Sequence, residues 1–279
     1  MSPPKDYATT LSARESVAWI AGFLQGMTGV LVRSDVPTFI NSRLRPVLRQ
    51  HGLKDIRELQ SVLAQGDPIL AADTIDSLTT HETSFNRDLA VFTWLKEHGV
   101  PELLAHLDGT RPLCIWSAGC ATGEEALSVA MILASREPEP AWSIWATDIS
   151  APTVKRASEG IFSAMQVNRG LRARQLMRWF SRKGISYRAS DMLMRRIIWK
   201  THNLIQDPPP ASSLDLVLLR NVLIYFNTAD RQRALDCVNA ALRPGGLLIV
   251  GGAENMMACI ADGPFDRITQ GSVTLWRKH

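Results

Sequence analysis

The sequence predicts an α/β protein: a doubly wound, mostly parallel sheet preceded by a small all-helical module. Three observations predict it. From about residue 110 short apolar runs alternate with helical stretches, which requires crossover connections and helices on both faces of a sheet. Before that point apolar residues recur at helical intervals and no strand-like alternation occurs. And the first apolar run leads into a glycine-bearing turn that opens a helix, the arrangement at which such sheets bind ligands.

Taken in order, Ser12 and Glu15 have the spacing of a capping box, and Val17, Ile20, Ala21 and Leu24 follow at helical intervals. A second helix is predicted over roughly 35–50 with Ile40, Leu44, Val47 and Leu48 inward; Pro46 removes a backbone donor and should bend or split it. Ile56, Leu59, Val62 and Leu63 mark a third helix, and Ile69, Ala72, Ile75 and Leu78 a fourth. Strands then follow at Leu113–Trp116, Ser143–Ala146, Leu214–Leu219, Leu247–Val250 and Val273–Trp276, with helices around Glu125–Ser135, from Ser150, and from Thr228 to Leu242. The stretch 184–202 differs: Ile185–Arg188 and Arg195–His202 read as short strands of an inserted antiparallel piece. The expected organisation is a helical domain over 1–85, a linker helix over 86–109, and a ligand-binding domain over 110–279 that carries a small β-subdomain at about 184–202.

A chain of 279 residues, with about 150 residues per domain as the guide, makes one large domain or two modest ones. Its 46% hydrophobic and 21% charged residues exclude disorder, collagen and coiled coil for the whole chain. A net charge of +4 suits an acidic partner and is too weak to indicate nucleic acid. Cys114, Cys120, Cys237 and Cys259 form no C-x-x-C pair, so neither a disulfide scaffold nor a metal site is expected, and a reducing compartment is. The start carries no apolar signal core, and no run of about 18 apolar residues occurs. The expectation is a soluble, cytoplasmic protein without membrane insertion.

The first strand ends in Ser117-Ala118-Gly119-Cys120-Ala121-Thr122-Gly123-Glu124-Glu125. This is neither G-x-G-x-x-G nor a phosphate loop, and two glutamates at the helix start repel a phosphate. Such a turn suits a ligand with a cationic centre; the competing reading is a tight turn capped by acids. The second strand ends in Asp148, placed to accept hydrogen bonds from a ribose diol. An N-cap role competes, but Ser150 followed by Pro152 already serves that purpose. Gly119, Gly123 and Asp148 together describe a nucleoside-like ligand with a positive centre and no phosphate, and S-adenosylmethionine is such a ligand.

Six ordered segments then carry a resemblance. His81-Glu82-Thr83-Ser84-Phe85-Asn86-Arg87, Ala118–Glu125, Ala146-Thr147-Asp148-Ile149, Asn203-Leu204, Arg220-Asn221-Val222-Leu223-Ile224-Tyr225-Phe226 and Gly251-Gly252-Ala253-Glu254-Asn255 resemble the CheR family of chemotaxis receptor methyltransferases. The resemblance runs from the helical module through almost the whole chain. It implies a Rossmann-like methyltransferase domain with a small β-subdomain after a helical domain, S-adenosylmethionine as donor, S-adenosylhomocysteine as product, and receptor glutamates as acceptors. Three positions depart from the family pattern: His81 stands for Asn, Asn86 often for Phe, and Gly252 for His.

Residue by residue, the resemblance implies that Arg87 holds the cofactor's carboxylate near the reaction centre, with His81 and Thr83 at the same site. It sets Glu124 or Glu125 at the methionine end, Asp148 on the ribose, Asn203 and Leu204 on the adenine, and Arg220 and Asn221 among the cofactor contacts. Tyr225 lines the methyl-transfer site; from the residues alone it reads equally as a core aromatic beside Phe226. Arg87 and Tyr225 are the candidate catalytic residues, and no metal is expected. The implied partners are acidic helical cytoplasmic domains of receptors, met by a basic helix that here carries Arg45 and Arg49 on one face. Ser181–Lys200 holds one glycine, Gly184, so a tether to a receptor's C-terminal peptide is not expected. A cofactor-binding regulatory module without methylation is the alternative, and a small-molecule or nucleic-acid methyltransferase a third reading; the Asn-Pro-Pro-aromatic motif of base-methylating enzymes is missing.

Overall fold

The computed structural model describes residues 13–32, 37–107, 109 and 111–279, so the Ser12 capping box lies outside the described residues. Two compact units result, Met1–Thr79 and Thr80–His279. The first is helical: α1 (Ala13–Thr28), α2 (Pro37–Gln50), α3 (Ile56–Ala64) and α4 (Pro68–Leu78). Asp55 and Asp67 cap α3 and α4 by accepting two backbone N–H groups each. Val17, Ile20, Leu24, Ile40, Leu44, Leu59 and Leu63 are buried between them. Two expectations are corrected. Pro46 does not split α2: the helix runs through it, and Pro46 stands on the exposed face. In α4 it is Leu70 that is buried at 1%, while Ile69, one position earlier, is 67% exposed.

The second unit opens with α5 (Leu89–Trp94), a π-turn and α6 (Val100–Ala105). Then come β1 (Leu113–Ala118), α7 (Glu124–Ala134), β2 (Trp142–Asp148), α8 (Ala151–Glu159), β3 (Ile161–Ser163), α9 (Ala164–Asn168), α10 (Ala173–Trp179), β4 (Phe180–Lys183) and β5 (Ser186–Ala189). They are followed by α11 (Asp191–Met194), β6 (Ile197–Thr201), β7 (Leu214–Leu219), α12 (Thr228–Ala241), β8 (Leu242–Val250), α13 (Ala258–Ala261), β9 (Phe265–Gln270) and β10 (Val273–Lys278). The main sheet has the order β6-β2-β1-β7-β8-β10-β9, with β10 antiparallel to β8 and to β9 and the other pairings parallel.

Strand β7 is buried at every residue, as a strand covered on both faces must be. The chain leaves β1 toward β2 and β6 and returns to the other side of β1 at β7. The order therefore reverses between β1 and β7, and a crevice opens there beyond the carboxyl ends of the strands.

The antiparallel piece is a separate three-stranded sheet, β3-β5-β4, closed by a turn at Gly184. This moves the expected β-subdomain: its strands lie within 161–189, and the segment assigned to it at 195–202 is instead β6, the parallel edge strand beside β2. Edge strands alternate buried and exposed residues just as an antiparallel hairpin does, and that alternation is what misplaced it. Strand β9 is not marked in the sequence for a different reason: only Phe265 of FDRITQ is fully buried, and no alternation follows it.

Candidate active site

The turn after β1 is built for close approach. Gly119 and Gly123 have φ of +77° and +94°, a region that L side chains rarely adopt. A Cβ on Gly119 would lie 2.5 Å from Val222 Cγ2, beyond the end of β7, and one on Gly123 would lie 2.8 Å from the Trp199 ring. Gly119 and Cys120 both donate their backbone N–H to Thr147 O at 2.8 Å, which ties the turn to the end of β2. Cys120 is buried, and burial together with Asp148 and the nearby glutamates raises its thiol well above the ordinary value, so it packs as a small apolar group.

Asp148 sits over that turn, 8% exposed. Its Oδ2 accepts from Ala121 N at 2.9 Å and its Oδ1 from Ser150 N at 3.0 Å, while Ser150 Oγ caps α8 by accepting from Thr153 N. The acid thus sets the shape of the turn as well as standing at the end of β2. Asn203 and Leu204 follow β6 next door, where His202 N donates to Asp148 O at 2.9 Å and Ile205 N to Asn203 Oδ1 at 3.1 Å. His202 Nε2 donates to Pro208 O; burial lowers its pKa, which keeps it neutral.

Sequence left open which of the two helix-start glutamates serves the site, and the structure gives both carboxylates protein partners. Glu124 accepts from Thr122 Oγ1 at 2.6 Å and from Gln166 Nε2 at 3.0 Å. Glu125 accepts from Ser117 Oγ at 2.7 Å and from Arg220 Nη1 at 2.9 Å. Burial raises the Glu125 carboxyl above its ordinary value, against the opposing pull of Arg220, Ser117 and Arg87.

The Arg220 side chain, 1% exposed, donates to that glutamate, to Arg87 O at 2.8 Å and to Asp88 Oδ2 at 2.5 Å, over the Phe92 ring. The residue expected among the cofactor contacts is thus committed to three protein groups. It reaches the segment that carries His81, Thr83 and Arg87, all half-buried. In that segment Arg87 Nη1 donates to Glu82 O at 2.8 Å. Asn86, with φ of +51°, donates its N–H to Ser128 Oγ at 3.0 Å and its Nδ2 to Gly170 O at 2.8 Å, a purpose for the departure from Phe. Asp88 also has positive φ, +60°. Such backbone costs on the order of 1–3 kcal/mol per residue and persists only where neighbours impose it.

Beyond β7, Asn221 has φ of +60° and leads through Val222 to the short turn of Leu223–Tyr225. One residue organises this region, and sequence reasoning gave it no role: Glu254, 0% exposed, beyond β8. Its carboxylate accepts from the N–H groups of Asn221 (2.8 Å), Val222 (2.8 Å), Ile224 (3.3 Å) and Gly251 (2.7 Å). An acid in a glycine turn opposite another strand end was the available signal. Tyr225 is half-buried beside the buried Phe226.

The turns after β1, β2, β6, β7 and β8 therefore converge at one end of the sheet. The donor set matches a nucleoside with a cationic, amino-acid tail: an acid at the β2 end, a bare glycine turn, negative charge at the start of α7 and Arg87 nearby. Among the described residues four buried polar atoms there, Asn221 Oδ1, Trp199 Nε1, His202 Nδ1 and Arg220 Nε, have no protein partner.

Among known proteins, a family model described as CheR methyltransferase, SAM binding domain, matches residues 81–268. The chain is 32% identical over 240 residues to chemotaxis protein methyltransferase Cher2 of Pseudomonas putida, covering 83% of this chain and 87% of that protein. It is 30% identical over 241 residues to a chemotaxis protein methyltransferase of Vibrio parahaemolyticus, covering 84% and 86%. Among solved structures it is similar to magnesium protoporphyrin IX methyltransferase of Synechocystis with bound SAM, at 14% identity and a TM-score of 0.39, covering 97% of this chain and 99% of that one.

Proposed function

The chain belongs to the CheR methyltransferase family and is an S-adenosylmethionine-dependent methyltransferase; from that premise we propose that its acceptor is the side-chain carboxylate of glutamate on chemotaxis receptors, converted to a methyl ester. The observation that carries the site assignment is the convergence of Asp148, the Gly119–Gly123 turn and the Arg87 segment at the strand ends where the sheet order reverses.

In this reading Asp148 accepts from the ribose hydroxyls, Asn203 and Leu204 flank the adenine, and the glycine turn lets the ligand lie against bare backbone. Arg87 takes the ligand's carboxylate through its forked guanidinium, with His81 and Thr83 beside it, and Asn221 offers its unpaired Oδ1 to a ligand N–H. Glu124 and Glu125 supply negative charge toward the cationic end. When bound, S-adenosylmethionine supplies a methyl group on a positively charged sulfur. The chain itself needs no general base, because a glutamate side chain, with an ordinary pKa of about 4.3, is already ionised at neutral pH. Its task is to strip water from that carboxylate and fix its approach, with Tyr225 and Arg87 orienting it; positioning of this kind supplies ~7–11 kcal/mol.

For the partner we propose acidic helical domains of receptors in the cytoplasm. Arg45 and Arg49 are exposed on α2 and form the docking face, and no receptor tail peptide is needed. No helix among the described residues is long and apolar enough to cross a membrane. Charge reversal of Arg45 and Arg49 should slow receptor methylation and leave cofactor affinity unchanged; loss of cofactor binding would count against the docking role. The reaction class is tested with methyl-labelled cofactor and receptor fragments. Release of the label as methanol in base identifies the ester, whereas label retained after base would mean methylation at nitrogen.

A further inference from the structure

The geometry points to Arg220 as a positioning residue: we propose that it acts on the cofactor only through Arg87, by clamping the turn that presents that side chain. This deepens the reading above and rests on its assignment of Arg87 to the cofactor's carboxylate. Arg87 lies between two residues held at positive φ, Asn86 (+51°) and Asp88 (+60°), so its position depends on whatever imposes that backbone. On the Asn86 side the imposing partners are Ser128 Oγ and Gly170 O. On the Asp88 side Arg220 donates from one nitrogen, Nη2, both to Arg87 O and to the Asp88 carboxylate.

Arg220 is itself fixed from below. Its Nη1 is paired with Glu125, whose other oxygen takes Ser117 Oγ at the end of β1. A continuous path thus runs from the central strand through Glu125 and Arg220 to the backbone of Arg87. The guanidinium is buried at 1% exposure, while Asp88 is 54% exposed, so the clamp faces the protein and its outer jaw faces water. A lysine has a single ammonium and cannot bridge Glu125, Asp88 and a carbonyl as a planar fork does.

The experiment is calorimetric titration of the full chain with two ligands, S-adenosylhomocysteine and 5′-methylthioadenosine, which has the adenine and ribose without the amino-acid tail. Arg220→Lys and Asp88→Asn are measured with Arg87 present and again in an Arg87→Ala background. The expected result is a loss of S-adenosylhomocysteine affinity of about tenfold for Arg220→Lys and about threefold for Asp88→Asn, unchanged methylthioadenosine affinity, and no further loss once Arg87 is gone. Additive losses in the Arg87→Ala background would overturn the proposal, because Arg220 would then touch the tail itself. Equal losses for both ligands would also overturn it, by showing a general structural role. If Arg220→Lys fails to fold, Asp88→Asn, altered only at a half-exposed carboxylate, decides alone, and unchanged affinity there counts against the clamp. Failure of the unaltered chain to bind either ligand would refute the cofactor assignment itself and the clamp with it.

Discussion

Both ends of β7 bury a cluster of arginine and carboxylate, and the two clusters hold different things. At the entry to the strand Asp215, with its side chain 0% exposed, accepts from Arg111 at 2.9 and 2.7 Å, from Cys114 N at 2.9 Å and from Arg243 Nε at 2.6 Å. Those donors belong to β1, to the residues just before it and to β8, so the cluster ties the neighbouring strands to one another. At the exit Arg220 and Glu254 tie turns rather than strands: Asp88 and Asn221 both have positive φ, and Asn221 Oδ1 is buried without a partner. Each cluster leaves one arginine nitrogen unpaired, Nη2 of Arg243 and Nε of Arg220, so the count of missing bonds does not separate them. Backbone at positive φ occurs at both ends too, at Ser213 (+58°) just before β7 as well as at Asp88 and Asn221, so what separates them is the buried acceptor without a partner, Asn221 Oδ1, on a residue that lines a crevice.

The largest expected effect lies at the entry. Asp215→Ala leaves two arginines without their carboxylate and should cost about 3–5 kcal/mol in denaturant unfolding, while the folded fraction keeps its affinity for S-adenosylhomocysteine. A selective loss of that affinity would break the division between the two ends. Glu254→Gln comes next. It turns amide hydrogens toward N–H donors and should destabilise by about 2 kcal/mol, yet lower methyl transfer more than ten-fold as the Tyr225 turn loosens. A single-turnover rate at full cofactor occupancy checks this; an unchanged rate would make Glu254 purely structural.

Acid should act on the two ends with opposite sign. Burial alone would raise the Asp215 carboxyl, but its hydrogen bonds from Arg111, Cys114 N–H and Arg243 outweigh burial and hold it below the ordinary value. Its stabilisation is therefore present above the unfolded value of about 3.9 and is lost as pH falls through the lower folded value. Glu125 is raised, so its folded state gains protons first and its contribution to stability declines as pH rises. Unfolding free energies measured from pH 3 to pH 6 should rise less steeply in Asp215→Asn and more steeply in Glu125→Gln. The reverse order would mean the directions are misassigned. The smallest effect is expected for Gly252→Ala beside the crevice: a Cβ there meets nothing within 4 Å, and thermal unfolding should place the change within about 0.5 kcal/mol.

Much of this was legible in the chain because it is local. The glycine turn, Asp148 and the Ser150 cap are written within a few residues of a strand end, and the alternation of strands and helices predicted the parallel sheet. What was not legible depends on partners far apart in sequence. Strand β5 was legible as Ile185–Arg188, but β3 and β4 are three and four residues each, and β3 pairs with β5 across two intervening helices, so no period marks them. Arg220 was expected at the cofactor because it ends a strand; its actual partners, Asp88 and Glu125, lie 132 and 95 positions away. Glu254 is identified only by four N–H groups, three of them on another turn.

The most direct test is amide hydrogen exchange of the whole chain with and without S-adenosylhomocysteine. Slowed exchange concentrated at 81–88, 119–125, 148–150, 203–206 and 220–225, with the amides around Cys114 and Arg243 unchanged, is the predicted result. Protection confined to the Asp215 end, or none despite saturating ligand, would contradict the assignment of the crevice at the exit of β7.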